Sequence, residues 1–459
     1  MDEYAQGVSM LRTICFRNIV AAGCVLAFSC AAARAVNRPC AGDCDGNGEV
    51  TIAELMTGVD LAIGSGGADS CRAVDVDGNG AVVVYELLRA VRYALDGCPP
   101  PAYPRDDELR LNQIQVLGTH NSYHIRADQQ ILDAIAALSR PLEETLEYDH
   151  PPLLEQFDHQ GIRQIELDVW ADPDGGLFAS PAGLQLITGD PNVRIPELEA
   201  PGFKVLHVQD IDFQTVCQTF VECLQQVKAW SDAHPAHVPI MIEVEAKDDR
   251  LPDIPPYHFV TPIPIGTAEL DGIDAEIRSV LPPEKLITPD DVRGTHATLA
   301  EAIATDGWPT LGASRGRLIF CLDNEGKRQA YLNGHPSLQG RVMFTPAPAN
   351  APDSAFRKLN DPVGDFAAIQ AAVAAGQVVR TRADADTHEA RENNTVPRDM
   401  ALASGAQWVS TDYPVPDPDF GTDYKVEIPN GTPARCNPLS APAECTSLDI
   451  ENPAFLIDP

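Results

Sequence analysis

Two histidines, an asparagine and several carboxylates stand at spacings that could do chemistry. In VLGTHNSYH (Val116–His124) a small, apolar run leads directly into His120 and Asn121, with a second histidine at His124. In RQIELDVW, Glu166 and Asp168 lie two apart, so both carboxylates project from one side of a strand. FKVLHVQD ends an apolar run in His207 with Asp210 just beyond it, and VPIMIEVEAK alternates Glu243, Glu245 and Lys247 onto one face. Oxygen ligands such as Asn121, Glu166, Asp168 and Glu245 suit calcium, a hard cation, while His120 and His207 suit proton transfer. Any one of these residues alone reads as an ordinary strand-end or paired polar group. The set does not, because charged side chains are rarely buried in strands without partners.

A second calcium signal is written twice near the N-terminus, as DCDGNGEVTIAE (Asp43–Glu54) and DVDGNGAVVVYE (Asp75–Glu86). Each places oxygen side chains at loop positions 1, 3 and 5, glycine at 6 and glutamate at 12, the spacing of an EF-hand loop. The first loop would bind through Asp43, Asp45, Asn47, the backbone carbonyl of Glu49, and Glu54. The second would use Asp75, Asp77, Asn79, the carbonyl of Ala81, and Glu86. ELMTGVDLAI and ELLRAVRYAL follow the loops with apolar residues at helical spacing. The pair resembles the EF-hand module of dockerins, VTIAEL most closely. The cysteines around it depart from a cellulosomal dockerin, which argues against a cohesin partner.

The elements that must position the first set follow from Leu111 onward. IQVLGTH, RQIELDVW, FKVLHVQD, VPIMIEVEAK, GRLIFCLDN, GRVMFTPA, QVVRTRAD and AQWVSTDYP read as strands. Amphipathic stretches such as FQTVCQTFVECLQQVKAWSDAH and DFAAIQAAVAAGQ lie between them. Strands alternating with helices predict an α/β fold, a (β/α)8 TIM-type barrel, preceded by a small all-α paired EF-hand domain. An open doubly wound sheet would want a glycine-rich phosphate turn after its first strand, and none is present. Barrel enzymes carry their sites at the C-terminal strand ends, where His120, Asn121, Glu166, Asp168, His207 and Glu245 all fall. The expected division is a signal peptide over 1–35, the calcium module over 36–98, and a proline-rich linker in extended conformation over 99–108. The barrel follows over 109–415 and a tail over 416–459.

The chain has 459 residues, with 33 Lys+Arg against 67 Asp+Glu and a formal net charge of -34. Such an excess of acid disfavours nucleic acid and other polyanions. Arg12 and Arg17 precede an apolar run from Ile19 to Ala33 that ends in Ala33-Arg34-Ala35, which predicts a secretory leader cleaved after Ala35, with Met10 as an alternative start. A lipid anchor at Cys24 or Cys30 fits less well: Cys24 leaves too short an apolar run, and Phe28 stands where Cys30 would want a small residue. Secretion makes disulfides the expected use of Cys40, Cys44, Cys71 and Cys98, of Cys217 with Cys223, and of Cys436 with Cys445. Connectivity within the first group is open. Cys321, in RLIFCLDN, reads as a buried free thiol.

GTHNSYH, IELDVW, VLH and PIMIEVE together resemble the calcium-dependent phosphatidylinositol-specific phospholipases C, in particular their secreted bacterial branch. VVRTRADADTHEARENNTVPRDMALASGAQWVSTDYP (Val378–Pro414) is similar to the last two strands of that branch. The resemblance implies that His120 and His207 flank the reacting phosphorus and that Asn121, Glu166, Asp168 and Glu245, rather than Glu243, hold one calcium. It implies attack of the inositol 2-hydroxyl on phosphorus, releasing diacylglycerol and an inositol cyclic phosphate, at a transient contact with a membrane surface. Lys247, Arg380 and Arg382 are candidates for holding the phosphate. The animal enzymes place lysines on the fifth strand to grip ring phosphates. RLIFCLDN offers Cys321 and Asp323 there, which points to an unphosphorylated or glycan-bearing inositol lipid. A glycerophosphodiester phosphodiesterase is the nearest rival, but it usually follows its first histidine with arginine and glycine, where Asn121 and Ser122 stand. A non-catalytic calcium-dependent binding protein is the rival of another class.

Overall fold

The computed structural model describes residues 40–45, 49–65, 71, 73–75, 81–98, 103–429 and 433–451. The expected leader over 1–35 lies outside them. In the N-terminal module, helices α1 (Ile52–Ala62) and α2 (Val84–Asp96) follow the two predicted loops. Thr51 caps α1 by accepting from the Glu54 amide, while Glu54 returns a carboxylate oxygen to the Thr51 amide at 2.7 Å. Disulfides Cys40–Cys98 and Cys44–Cys71 staple the module, whose small size leaves little core to hold it together. Cys217–Cys223 and Cys436–Cys445 are also bonded, and Cys321 is free and buried. The four disulfides among the described residues are of the kind found in chains that fold in an oxidising compartment. No helix among the described residues is long and apolar enough to cross a membrane.

The larger part is a mixed α/β structure built on a curled parallel sheet. In chain order its strands are β1 (Ile114–Thr119), β2 (Gln164–Trp170), β3 (Lys204–Val205), β4 (Ile240–Lys247), β5 (Leu286–Ile287) and β6 (Leu318–Leu322). They continue as β7 (Met343–Phe344), β8 (Phe356–Lys358), β9 (Val378–Arg382), β10 (Trp408–Thr411) and β11 (Ala434–Cys436). Parallel neighbours run β6-β4-β2-β1-β10-β9-β8, with β7 on the far edge of β6. A parallel bridge between Pro346 and Phe356 joins the segment after β7 to β8. The arrangement is consistent with a TIM-like barrel. β1, β2 and β6 are buried along their whole length; β6 (LIFCL) is apolar throughout, while β2 also buries Gln164, Glu166 and Asp168.

Three expectations are corrected. FKVLHVQD contributes no parallel strand. β2 and β4 pair directly from Gln164↔Met241 to Trp170↔Lys247, which leaves no place between them, and β3 is a two-residue antiparallel addition to the end of β2. Three short strands that the sequence did not announce are β5, β8 and β11; among them the FRK of β8 has one apolar residue and no periodicity. The stretch over 99–108 is not an extended linker from residue 103 onward. Tyr103 is buried under the Arg315 guanidinium at 3.4 Å, and Asp106 pairs with the same arginine, so a cation–π contact and an ion pair dock this turn on the larger part. The tail is also integrated: β11 pairs antiparallel with the first half of β1, where β2 has not yet begun, and Glu451 is buried against Arg163.

Candidate active site

The carboxylates come from strands in register. Glu166 lies beside Glu243 and Asp168 beside Glu245, so two acids from each of β2 and β4 enter the interior at matching levels. Glu166, Asp168 and Glu245 bring ligand oxygens within 4.8 Å of one another. A second group, Glu166, Glu243 and Asp323, lies equally close but is met by side-chain cations. Arg380 pairs with Glu166 and, at 3.0 Å, with Glu243, while Lys358 holds both oxygens of Asp323 at 2.8 and 2.9 Å. Glu245 rather than Glu243 therefore faces the group left open for a metal. In that group the Lys247 ammonium stands 3.0 Å from Asp168 and 3.6 Å from Glu245.

The site retains an excess of buried negative charge. Burial pushes the Glu166 carboxyl up to about 7 against the pull of Arg380, with Asp323 and Glu245 adding to the rise. Burial likewise raises Asp168 well above the carboxylate range despite Lys247. A divalent cation would relieve both. Asn121 lies just past the end of β1, next to Ser122 whose amide donates to Glu166 O at 3.0 Å; its Nδ2 donates to the Tyr148 hydroxyl at 2.9 Å, and its buried Oδ1 accepts no hydrogen bond. Three carboxylates and an unpartnered amide oxygen, with an ammonium already drawn to two of them, are the donors a calcium ion takes.

The two histidines His120 and His207 are each held by an acid on Nδ1. His120 Nδ1 lies 2.9 Å from Asp412 Oδ1, and His207 Nδ1 lies 2.6 Å from Asp212 Oδ2. A carboxylate accepts, so Nδ1 carries the proton in both rings and Nε2 keeps its lone pair. Arg382 completes the first pair, donating to Asp412 at 3.1 Å and approaching His120 Nε2 at 3.3 Å. Burial and the Arg382 charge together hold the His120 imidazole down at about 3, against the opposing pull of Asp412. Burial also lowers His207, with Asp212 opposing. Both rings are therefore neutral near pH 7 and begin as bases.

Of the predicted residues, His120, Asn121, Glu166, Asp168, His207, Glu245, Lys247 and Arg382 are gathered at the strand ends. Arg380 is not a surface for phosphate: it is fully buried between Glu166 and Glu243, with Asn360 on its remaining edge at 2.8 Å. Asp210 takes no part. It adopts φ 71° and accepts the amides of Ala182 and Val260 at 3.0 and 2.7 Å, which orders two loops. Asp212, Asp412, Tyr148 and Lys358 were missed. Asp412 directly follows a strand, a signal that was available in the sequence; Tyr148 lies in a loop with no periodicity. In the module, Asp43, Asp45 and Glu54 bring oxygens within 4.8 Å of one another. Asp75, Ala81 and Glu86 of the second loop are described, with Glu86 buried, whereas Asn47, Asp77 and Asn79 lie outside the described residues.

A family model for Ca2+-dependent phosphoinositide phospholipase C matches residues 109–438, well over half of the chain. The chain belongs to this family. It is a phosphodiesterase of the calcium-dependent phospholipase C type, directed at phosphatidylinositol lipids. Among solved structures, it is similar to a calcium-dependent phosphoinositol-specific phospholipase C from a Gram-negative Pseudomonas species. The identity is 17%, the TM-score 0.42, and the match covers 73% of this chain and 99% of that one. The calcium-dependent phosphatidylinositol-specific phospholipase C of Streptomyces antibioticus matches at 18% identity and a TM-score of 0.42, over 67% of this chain and 95% of that one. No curated protein matches the chain.

Proposed function

We propose that the protein is a secreted enzyme that cleaves phosphatidylinositol-type lipids to diacylglycerol and an inositol cyclic phosphate by attack of the inositol 2-hydroxyl on phosphorus. The observation that carries this reading is the pair of acid-anchored histidines, His120 with Arg382 at its Nε2, beside a cluster of three carboxylates. His120 and His207 move protons: one neutral ring takes the hydroxyl proton on Nε2, and the other, after taking up a proton from solvent on its Nε2, delivers it to the leaving oxygen. Arg382, at His120, holds the scissile phosphate, and Lys247 is the second cation within reach of it. Asn121, Glu166, Asp168 and Glu245 hold one calcium, which when bound lowers the pKa of the attacking hydroxyl and offsets charge that develops at phosphorus. Lys358 is neutralised by Asp323, which favours an inositol ring without extra phosphates. The strands close as a (β/α)8 barrel. The dockerin-like module over residues 36–98 binds two further calcium ions and serves stability or surface attachment rather than chemistry. The leader over 1–35 is removed after Ala35.

Phosphorus NMR of the products from phosphatidylinositol, with calcium and with chelator, tests the proposal. A calcium-dependent cyclic phosphate signal, lost in His120→Ala, is expected. Release of glycerol phosphate from glycerophosphoinositol, with the intact lipid untouched, would overturn it.

A further inference from the structure

His124 ends the VLGTHNSYH stretch and has no part in the reaction described above, yet it is fully buried among the groups that do. Its Nε2 donates to Asp212 Oδ2 at 2.8 Å, the same oxygen that His207 Nδ1 meets at 2.6 Å. One carboxylate oxygen therefore lies between two imidazoles, and its other oxygen has no hydrogen-bond partner. His124 Nδ1 has none either, so Asp212 is the only group that its polar edge serves among the described residues.

The other face of His124 carries Tyr148. The rings stack at 4.1 Å and 21°, and the Tyr148 hydroxyl accepts from Asn121 Nδ2. Asn121 stands at φ 44°, a left-handed conformation that an asparagine tolerates better than most residues. With its amide nitrogen engaged by Tyr148, the buried amide oxygen is left without a hydrogen-bond partner. The backbone fixes this stack from both sides. His150 N donates to His124 O at 2.9 Å, which holds the Tyr148 segment against the end of β1. Val216 N donates to Tyr123 O at 2.9 Å and Ile125 N to Gln214 O at 3.3 Å, which lays the Asp212 segment along the other edge. The Cys217–Cys223 disulfide anchors that segment one residue further on.

We infer that His124 and Tyr148 are positioning residues that act as one stacked support. Tyr148 turns the Asn121 amide oxygen toward the cation, and His124 fixes Asp212 and through it the His207 ring. The inference rests on the proposed roles of Asn121 and His207. It assigns the support two separable effects, one on cation binding and one on turnover. Partners that orient a metal ligand typically contribute about 10–100-fold in affinity, and a misplaced catalytic group can cost about 100-fold in rate.

The test uses the full chain with calcium alone as the binding probe. Calorimetric titration of the wild type and of Glu245→Gln identifies the calcium step that belongs to this cluster, apart from those of the module. Tyr148→Phe keeps the stacked ring and is expected to weaken that step about 10-fold or more, with kcat at saturating calcium reduced less than the affinity. His124→Phe keeps the stack but removes the donor to Asp212. It is expected to leave the calcium step in place and to lower kcat about 10-fold or more with little change in KM. His124→Gln, which restores a donor near the position of Nε2, is expected to recover much of that loss.

Equal losses of kcat in His124→Phe and His124→Gln would overturn the inference, as would an unchanged calcium step in Tyr148→Phe. If His124→Phe does not fold, the Tyr148→Phe titration and the kcat-against-KM split of His124→Gln decide alone. A wild type that cleaves no phosphatidylinositol with calcium would overturn the function proposed above, which distinguishes the two failures.

Discussion

Arg380 and Arg382 lie two apart on β9, so both enter the interior, yet their surroundings give them different tasks. Arg380 is buried with Glu166 and Glu243 and neutralises acids that water cannot reach. Removing one partner of a buried ion pair leaves an uncompensated charge and costs about 3–5 kcal/mol. Arg380→Met is therefore expected to lower the urea midpoint strongly. Arg382→Met should change the midpoint far less and instead raise KM or lower turnover, because Arg382 faces His120 at the mouth. Exchange of these two phenotypes would reverse the assignments. His237 gives a residue-scale prediction away from the site. Its ring is buried, donates through one nitrogen to Val238 O, and meets Ser231 Oγ with the other at 2.8 Å. Burial holds it down at about 3, with the hydrogen bond to Val238 opposing. The unfolded chain takes up this proton near pH 6.5 and the folded one does not. The stability that His237 contributes is thus complete above pH 6.5 and is lost as the pH falls toward 3. The stability gap between the wild type and His237→Gln should narrow over that range, at a slope approaching about 1.4 kcal/mol per pH unit. Equilibrium denaturation at several pH values measures it, and a gap independent of pH would refute it.

At the scale of elements, the sequence disclosed what periodicity and motif can carry. β1, β2, β4 and β6 are long, β-branched and apolar, and their register follows from alternation, so Glu166, Asp168 and Glu245 could be placed together from their spacing alone. Short elements could not be read in this way. FRK becomes a strand because β9 and the segment after β7 supply its hydrogen bonds, and no local property of three residues announces that. FKVLHVQD failed for the converse reason. Its pattern is strand-like, but β4 takes the neighbouring edge of β2. His207 reaches the site all the same, because a two-residue antiparallel addition ends at the same rim. The pairing of His120 with its aspartate depends on tertiary contact, since Asp412 lies 292 positions away in the chain, whereas Asp212 is only 5 positions from His207. The calcium module allows a prediction at this scale. Asp45→Ala removes an oxygen from the cluster of Asp43, Asp45 and Glu54. It should lower the calcium affinity and thermal stability of the module and leave turnover of a monodisperse, short-chain phosphatidylinositol unchanged. Collapse of that turnover with the larger part still folded would show that the module takes part in chemistry.

The whole molecule sets a long-range condition on this local chemistry. A net charge of -34 repels an anionic bilayer, while the proposed substrate is itself an anionic lipid. The repulsion acts between solvent-exposed charges and decays over about 8 Å at 0.15 M salt, against about 30 Å at 0.01 M. Contact at the mouth is closer than either length and, on the function proposed above, would depend on Arg382, Lys247 and calcium, which salt screens less. Approach and chemistry should therefore respond to ionic strength in opposite senses. On vesicles rich in anionic bystander lipid, hydrolysis is expected to speed up as salt rises from about 0.01 to 0.15 M, because screening relieves the approach. The same salt should slow or leave unchanged the hydrolysis of a monodisperse substrate, whose one charge meets the cations of the mouth. Diluting the bystander charge with zwitterionic lipid should remove the salt effect on vesicles. Initial rates at fixed free calcium, across salt and bystander charge, separate the two effects. A vesicle rate that falls with salt would mean that a local basic surface governs approach and that the overall charge does not.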